Sequence, residues 1–345
     1  MNDQFKKILV TGGAGFIGSN FLLYMHQKYP QYHFINLDSL TYASDLSHLF
    51  SIKNSSRYQF IKGDITDRKF VNDLIRDQKF FGVINFAAES HVDNSINDPE
   101  IFIRTNINGT FNLLNACKSH WLDSKFQPNK NHLESRFLQI STDEVYGSLG
   151  DKGYFTEETP FAPNSPYSAS KASADMLVRS FGKTYGLHTM STHCSNNYGP
   201  HQHDEKLIPV IIRSCIQSKP IPIYGNGKNV RDWLHVLDHC RGIDEVFHRG
   251  ESGERYKIGG TSELSNLELA QKICSLLNEI LPNPNFKNEN LISFVQDRAG
   301  HDFRYAIDFS KMKKKFNWQP TVNLDKGLTE TINWYLKKYH QLSFK

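Results

Sequence analysis

The sequence has 345 residues, beyond the ~250–300 at which a single hydrophobic core stops growing, so we expect one large domain with a smaller one attached. Its 39% of hydrophobic and 22% of charged residues are ordinary globular values, and a net charge of +4 spread along the chain argues against a nucleic-acid or a membrane surface. No signal sequence precedes the first predicted strand and no apolar stretch approaches the ~18 residues of a membrane span, so we expect a cytoplasmic protein.

Five cysteines are spread along the chain without a Cys-x-x-Cys pair, which is typical of a protein from a reducing compartment. His201 and His203 lie two residues apart without a third ligand, a spacing more typical of a loop than of a metal site. We therefore expect no metal and no disulfide, the cysteines being Cys117, Cys194, Cys215, Cys240 and Cys274.

The first predicted strand, Ile8–Val10, runs into a glycine-rich turn and then into a segment of helical periodicity, residues 19–28. Glycine lets a backbone approach a pyrophosphate, and the free N–H groups and dipole of the following helix favour negative charge. The turn carries glycines three residues apart, at Gly12, Gly15 and Gly18. By itself this pattern also fits a tight turn that binds nothing.

The second predicted strand, residues 34–37, ends in Asp38, twenty residues after Gly18. An acid at this position can accept hydrogen bonds from the hydroxyls of an adenosine ribose. Ser39 follows, where an Arg would be expected beside a 2′-phosphate. The pattern therefore favours NAD over NADP.

The alternation of strands and helices continues through a strand at residues 58–61, a helix at 69–78 and a strand at 82–86. A longer helix is predicted from about residue 99 to residue 117. Each strand–helix pair is one right-handed crossover, so we predict a doubly wound parallel Rossmann sheet of the α/β class. Asp64 fits either a helix cap or an acceptor for an adenine amino group.

Two adjacent carboxylates, Asp143 and Glu144, directly follow an apolar run, Phe137–Ile140, that predicts a buried strand. Ligands of open parallel sheets bind at the carboxyl edge of such strands. Because two acids so close cannot ionise independently, we expect one of their pKa values to be raised. The alternative is a helix cap beside a surface acid.

Tyr167 and Lys171 are four residues apart at the start of a predicted helix, residues 168–181, so one helix face carries both. A nearby ammonium favours the phenolate, and we expect it to lower the pKa of Tyr167 from its ordinary value of about 10. Together with Asp143 and Glu144, this phenol gives the sequence candidates for one general acid and two general bases.

The carboxyl-terminal part begins after a predicted strand at residues 187–192, where the alternation becomes irregular. A short strand at residues 222–224 ends in a glycine turn, and a helix is predicted at 267–281 with Asn266 as a candidate N-cap. An amphipathic helix at 324–339 looks suited to packing. We therefore predict a smaller mixed α/β domain here.

These motifs together resemble the extended short-chain dehydrogenase/reductase family, through residues 11–18 and Tyr167-x-x-x-Lys171. The acid pair after Thr142 resembles the nucleotide-sugar 4,6-dehydratases of that family, because the related sugar 4-epimerases generally carry a small hydroxyl residue there. The resemblance extends over nearly the whole chain, through residues 87–93, 195–200, 205–209, 231–234 and 297–302. The sequence departs from the family pattern at Asn94, His193 and residues 201–204, which the resemblance places on the substrate side. The base of the nucleotide, thymine or uracil, therefore stays open.

The resemblance implies a catalytic set of Thr142, Asp143, Glu144, Tyr167 and Lys171. It implies that NAD is bound by Gly12, Gly15, Phe16, Ile17, Gly18, Asp38, Ser39, Leu40, Thr41, Asp64, Ile65, Ala87, Ala88, Ser90, Thr105, Ser141, Tyr167, Lys171 and Asn197. It also implies that the sugar nucleotide is bound by Ser90, Thr142, Asn196, Lys206, Leu207, Pro222, Tyr224, Arg231, Asn266, Arg298 and His301. Lys206 and Arg231 suit a diphosphate, with surface solvation as the alternative.

The implied reaction is oxidation at C4 of the sugar, loss of water across C5 and C6, and return of the hydride to C6. Tyr167, helped by Lys171 and Thr142, takes the O4 proton, Glu144 takes the C5 proton and Asp143 protonates the departing C6 hydroxyl. The assignment of acid and base within the pair comes from the resemblance, since spacing alone does not distinguish them.

The expected substrate is dTDP-glucose, with UDP-glucose or another nucleotide hexose as the alternative. An alternative of another class is a non-catalytic NAD-binding scaffold, since a fold does not fix a function. We assign residues 1–193 to the NAD half, with about 230–260 as candidates to return to it, and 194–345 mainly to the sugar half. The resemblance also implies a homodimer formed by helices 99–117 and 168–185.

Overall fold

The structure is a computed structural model and describes residues 5–342 of the chain. Residues 1–4 and 343–345, the outer ends of the two predicted domains, lie outside the described part. The amino-terminal part alternates strands and helices: β1 (Lys6–Thr11), α1 (Phe16–Lys28), β2 (Tyr32–Asp38), β3 (Tyr58–Lys62), α2 (Arg68–Gln78), β4 (Gly82–Asn85), α3 (Val92–Asn97), α4 (Pro99–Phe102), α5 (Thr110–Trp121), β5 (Arg136–Thr142), α6 (Pro166–Tyr185) and β6 (Thr189–Cys194).

The carboxyl-terminal part has shorter strands and less regular alternation. Its elements are β7 (Asn196–Tyr198), α7 (Leu207–Gln217), β8 (Ile221–Tyr224), β9 (Val230–His235), α8 (Val236–Arg249), β10 (Arg255–Ile258), β11 (Glu263–Ser265), α9 (Asn266–Ile280), β12 (Ile292–Val295), α10 (Ser310–Phe316) and α11 (Leu324–Leu342). None of the helices within residues 5–342 is long and apolar enough to cross a membrane.

The main sheet has seven parallel strands in the order β10-β6-β5-β4-β1-β2-β3. It is buried on both faces, as continuous apolar strands require, and Ile8, Leu9 and Val10 have no exposed surface. The predicted α/β class with a doubly wound parallel sheet is confirmed. Because the strand order reverses between β1 and β4, a ligand crevice is expected above their carboxyl ends.

Two small sheets, β11-β9-β7 and β12-β8, lie beyond the main sheet. With α7, α9 and α11 they enclose a core of their own, which includes Ile208, Ile211, Ile212, Leu269, Ile273, Leu328 and Ile332. The chain also returns to the main sheet, since β10 pairs with β6 and α8 packs on α1.

The helix predicted from residue 99 to residue 117 is not regular, which corrects the expectation. α4 passes into a wider π-helical turn, Ile103–Gly109, before the chain continues as α5. Buried Asn106 lies in this turn, where its amide donates to the Glu89 carbonyl at 3.0 Å and to Ser170 Oγ at 2.8 Å. Its side-chain oxygen accepts from the Glu89 N–H at 2.8 Å. The turn therefore joins the loop after β4 to α6.

The alternative in which Asn266 is only the N-cap of the following helix is wrong. Ser265 is the N-cap: its hydroxyl accepts from the Glu268 N–H at 3.2 Å, while the Glu268 carboxylate accepts from the Ser265 N–H at 2.8 Å. This reciprocal capping box satisfies two N–H groups that a helix start leaves unpaired. Asn266 is therefore the first residue of α9.

Candidate active site

A cavity of about 570 Å³ lies at the carboxyl ends of β1, β4 and β5, within the range of small-molecule sites. All five predicted catalytic residues line it, namely Thr142, Asp143, Glu144, Tyr167 and Lys171. The same cavity is lined by Gly12, Gly15, Phe16, Ile17, Gly18, Asp38, Ser39, Thr41, Asp64, Ile65, Ala87, Ala88, Ser90, Thr105, Ser141 and Asn197. Leu40 is not part of this lining, although it was predicted to contact the cofactor.

The glycine turn has no room for side chains. Gly12 has a positive φ of 68°, and a Cβ on it would lie 2.7 Å from the backbone nitrogen of Ala87. A Cβ on Gly18 would lie 2.4 Å from the Gly12 carbonyl oxygen. α1 then begins at Phe16, so its first-turn N–H groups, which have no intrahelical acceptor, face the cavity as an anion cradle.

Asp38 ends β2 on the far side of the glycine turn and is buried. Its Oδ2 accepts from the Ala14 N–H at 3.0 Å, and its Oδ1 accepts from the Leu40 N–H and the Ser44 hydroxyl, both at 2.8 Å. Leu40 therefore contributes to the site through its backbone, which fixes the carboxylate.

Asp64 does not cap α2. Its carboxylate accepts from the Thr66 N–H at 2.8 Å, whereas the N-cap of α2 is Asp67, which accepts from the Phe70 N–H at 3.0 Å. The capping alternative is wrong, and Asp64 remains a cavity residue whose contact with adenine is a prediction.

The acid pair sits where β5 ends. Thr142 is the last residue of the strand and its hydroxyl accepts from the Glu144 N–H at 3.3 Å, which turns the chain into a short 3-10 helix, Asp143–Tyr146. Asp143 is only 2% exposed, and Glu144 is half-buried. Both carboxyl groups thus leave the sheet edge within one tight turn.

Burial raises the pKa of Asp143 well above its ordinary value, and the neighbouring Glu144 raises it further. Burial also raises the pKa of Glu144, although the cations of Arg298, Arg231 and Lys206 oppose this. The expectation of a raised pKa within the pair is confirmed. Asp232 adds to the effect of Glu144 on the pKa of Asp143, while Arg231 opposes it.

Tyr167 and Lys171 lie on the first two turns of α6, which begins with Pro166 after the N-cap Ser165. The Lys171 ammonium donates to the Ile140 carbonyl at 2.7 Å, which fixes it against β5. The expected lowering of the Tyr167 pKa is not found, because other effects outweigh a nearby ammonium. Burial, followed by the Glu144 carboxylate, raises the pKa of Tyr167 well above 10, and burial lowers the pKa of Lys171 itself.

A second cavity of about 270 Å³ continues from the first toward the small sheets. The two share Ser90, Glu144, Asn196, Asn197, Gln202, Glu205 and Lys206. The predicted sugar-nucleotide residues that line the second cavity are Ser90, Asn196, Lys206, Leu207, Pro222, Tyr224, Arg231, Asn266, Arg298 and His301. Thr142, the remaining one, lines the first cavity.

Arg231 is held rigidly at the base of this second cavity and is only 4% exposed. Its guanidinium donates to the carbonyls of Val230 at 2.8 Å and Asp302 at 3.0 Å and lies 4.2 Å from the ring centre of Tyr305. The backbone therefore uses several donors of Arg231, whereas the half-buried Lys206 ammonium donates to one backbone carbonyl, that of Ser90, at 3.0 Å.

Asp93 and Glu205 are among the acids that line the cavities without having been predicted as site residues. Asp93 accepts from the Tyr224 hydroxyl at 3.3 Å and lies 3.6 Å from Arg298, which joins the loop after β4 to the small sheets. Glu205 lies 3.4 Å from the Tyr42 hydroxyl and lines both cavities. Both residues lie within motifs on which the family resemblance rests, residues 87–93 and 205–209, so the resemblance could have identified them as site residues.

Comparisons with known proteins agree with this geometry. A family model described as GDP-mannose 4,6 dehydratase matches residues 9–331. A dTDP-glucose 4,6-dehydratase of Xanthomonas campestris pv. campestris (strain B100) is 50% identical over 329 residues, covering 95% of this chain and 92% of that protein. The chain belongs to the nucleotide-sugar 4,6-dehydratase family.

Solved structures of this family share the whole fold. The dTDP-glucose 4,6-dehydratase of Bacillus anthracis, solved in complex with NAD, is 46% identical with a TM-score of 0.85, over 97% of this chain and 98% of that chain. The dTDP-glucose 4,6-dehydratase of Streptomyces venezuelae, solved with NAD and TYD bound, is 41% identical with a TM-score of 0.86 over the same shares. The family resemblance inferred from the sequence is confirmed.

Proposed function

We propose that this protein is an NAD-dependent hydro-lyase that converts dTDP-glucose to dTDP-4-keto-6-deoxyglucose and water. The observation that carries the proposal is the convergence of a phenol, an ammonium and two carboxyl groups on one cavity, between an anion cradle and a set of cations. Family membership and the activity of the relatives support it. The division into an NAD half, residues 1–193 with a return near 230–260, and a sugar half, mainly 194–345, is part of the proposal.

The residues of the first cavity fit NAD. The cradle formed by Gly12, Gly18 and the start of α1 offers backbone N–H groups to a pyrophosphate where any side chain would collide. Asp38, held by three donors, offers carboxylate oxygens to a ribose. Bound NAD supplies a hydride acceptor that later returns the same hydride.

The second cavity fits the nucleotide diphosphate of the sugar. Arg298 and Lys206 bring cationic donors to its walls, and Arg231 adds a fixed guanidinium. Tyr224 offers an aromatic face to the base, and Asn266 offers an amide from the start of α9. The glucose ring then lies where the two cavities meet, near Glu144.

The chain supplies the proton transfers of the reaction. Tyr167 removes the proton of the C4 hydroxyl while Thr142 holds the same oxygen, and loss of hydride from C4 leaves a ketone. The ketone acidifies the C5 hydrogen, which Glu144 takes as a proton, while Asp143 donates its proton to the departing C6 hydroxyl. Water leaves, hydride is returned to C6 and C5 is reprotonated, so the sugar loses one water without net oxidation.

The test is incubation of the purified protein with dTDP-glucose and, separately, with UDP-glucose, following the 4-keto product by its absorbance in alkali. Product from dTDP-glucose in preference to UDP-glucose supports the proposal. Preference for UDP-glucose or another hexose would identify a related dehydratase, and NAD binding without product from any of them would identify a scaffold.

We further propose that the protein forms a homodimer through α6 and the α4–α5 helix. Met176 on α6 and Ile103 in the π turn are 56% and 51% exposed, an unusual position for apolar side chains on two helices that pack together. Light scattering on a sizing column should report twice the chain mass, and Met176→Glu should halve it. The matched control is Phe50→Glu, at another exposed apolar residue that lies outside these helices.

We also propose that the protein works in the cytoplasm. All five cysteines lie in the described part of the chain as buried free thiols, and a thiol core of this kind suits a reducing compartment. Cell fractionation followed by immunoblotting tests the location.

A further inference from the structure

Asp175 continues the row of reactive side chains on α6. Tyr167, Lys171 and Asp175 follow one another at intervals of four residues, so one face of the helix carries all three. Asp175 is 3% exposed and is the only carboxylate in α6. Neither cavity is lined by it, so it has no direct contact with a ligand to account for its burial.

Two donors from the adjacent strands hold one oxygen of this carboxylate. The Ser141 hydroxyl donates to Asp175 Oδ2 at 2.5 Å, and His193 Nε2 donates to the same oxygen at 3.0 Å. The other oxygen, Oδ1, is buried and accepts no hydrogen bond from the described residues. Burying a carboxylate with one oxygen unpartnered is costly unless a cation lies near it.

The donors belong to a row that crosses the sheet. Ser141 pairs with His193 and His193 pairs with Lys257 in the parallel register of β5, β6 and β10, so the three side chains lie on one face. The Lys257 ammonium lies 3.4 Å from the ring centre of Tyr146 and has no acceptor among the described residues. The titratable and charged groups that face Asp175 are thus Lys171, His193, Lys257 and Tyr146, with Cys194, Asp143, Glu157 and Arg255 beyond them.

Lys171 needs such a partner. Lys171 is 4% exposed, and burial lowers the pKa of its ammonium, which makes the charge beside Tyr167 less stable. Its one hydrogen bond, to the neutral Ile140 carbonyl, is no counter-ion. The negative charge of Asp175 is the main effect that opposes burial at this lysine, with Cys194 behind it.

We propose that Asp175 is a positioning residue that keeps Lys171 in its ammonium form, and that His193 holds Asp175 in place for this purpose. The inference deepens the proposed function and rests on it, because the ammonium matters only if Tyr167 removes a substrate proton. Asp175 acts through Lys171 and does not touch the sugar.

The test compares pH profiles of kcat/KM for dTDP-glucose. In Asp175→Asn, Lys171 loses its counter-charge and gives up its proton at lower pH, so Tyr167 ionises only at higher pH. The acid limb should move to higher pH, with roughly a tenfold or greater loss of rate below it and little change in KM. The control is Asp238→Asn, which removes a buried carboxylate that accepts from the Thr321 and Val322 N–H groups. It should lower the stability of the protein without moving the acid limb of the pH profile.

A second pair of variants decides the matter if Asp175→Asn does not fold. His193→Leu removes one donor from Asp175 and should move the limb in the same direction by less. His193→Gln keeps an N–H donor without a titrating ring and should restore the wild-type limb. If His193→Leu and His193→Gln give the same profile, or if Asp175→Asn lowers the rate equally at every pH, the inference is overturned.

The outcomes separate this inference from the function on which it rests. If the wild-type protein forms no ketosugar from dTDP-glucose, the proposed function fails and the inference fails with it. If the wild-type protein forms product while the Asp175 and His193 variants keep its acid limb, only the inference fails.

Discussion

Glu144→Gln should separate the two halves of the proposed reaction. The change keeps the size of the side chain and removes the base that takes the C5 proton. General-base catalysis is commonly worth about 10²–10⁴ in rate, so dehydration should slow by about 3 to 5 kcal/mol of activation free energy. The oxidation at C4, which uses Tyr167, should survive.

The same change should make the oxidation step easier at low pH. After burial, the Glu144 carboxylate is the main cause that raises the pKa of Tyr167. Removing its charge lowers the pKa of the phenol, and each unit of lowering gives about tenfold more phenolate at a pH below that pKa. The acid limb of the oxidation step should therefore move to lower pH than in the wild type.

Two optical signals measure these effects in one experiment. Rapid mixing of the variant with dTDP-glucose should give NADH absorbance that rises and persists, because the hydride is not returned, while the alkaline absorbance of the 4-keto-6-deoxy product stays near the blank. Dehydration at the wild-type rate would refute Glu144 as the base. An acid limb unchanged from the wild type would refute its electrostatic effect on Tyr167.

Three further predictions concern the cofactor, the acid and the fold. Gly18→Ala should release NAD, measured in the supernatant of denatured protein, because its Cβ would lie 2.4 Å from a backbone carbonyl, whereas Gly150→Ala, with nothing within 4 Å, should retain it. The raised pKa of Asp143 keeps it protonated to higher pH, so the dehydration rate should fall as pH rises through that pKa, and Asp143→Asn should abolish this alkaline limb. Ser265→Ala should lower the free energy of unfolding in urea by about 1 kcal/mol without loss of activity, and Ser275→Ala, at an exposed residue of the same helix, by much less.

Local chemistry explains what the sequence could predict. Asp38 and the glycine turn belong to one strand–helix–strand unit, whose spacing is fixed by short-range geometry. Tyr167 and Lys171 share a helix face because helix geometry alone brings residues four apart together. The acid pair falls at the sheet edge because the strand before it ends there. In each case the signal lies within a few tens of residues.

Long-range burial explains what the sequence could not predict. The raised pKa of Tyr167 depends on how deeply the folded chain encloses the phenol and on the approach of Glu144, neither of which follows from the four-residue spacing to Lys171. The contact of Asp93 with Arg298 joins segments about two hundred residues apart. The position of Asp175 on the same helix face could have been predicted from the sequence, because it continues the four-residue spacing of Tyr167 and Lys171. Its hydrogen bond to His193 could not, because it depends on the strand register of the folded sheet.

The wide turn at Ile103–Gly109 also limits how the gene for this protein can change. A π turn holds more residues than a regular one, so deleting a single residue there would let the helix close into ordinary α geometry and change which side chains of the turn face inward. Thr105 would then turn away from the NAD cavity and Asn106 would leave Glu89 and Ser170. Exposed loops tolerate insertions and deletions, but within these seven residues such changes are expected to abolish activity.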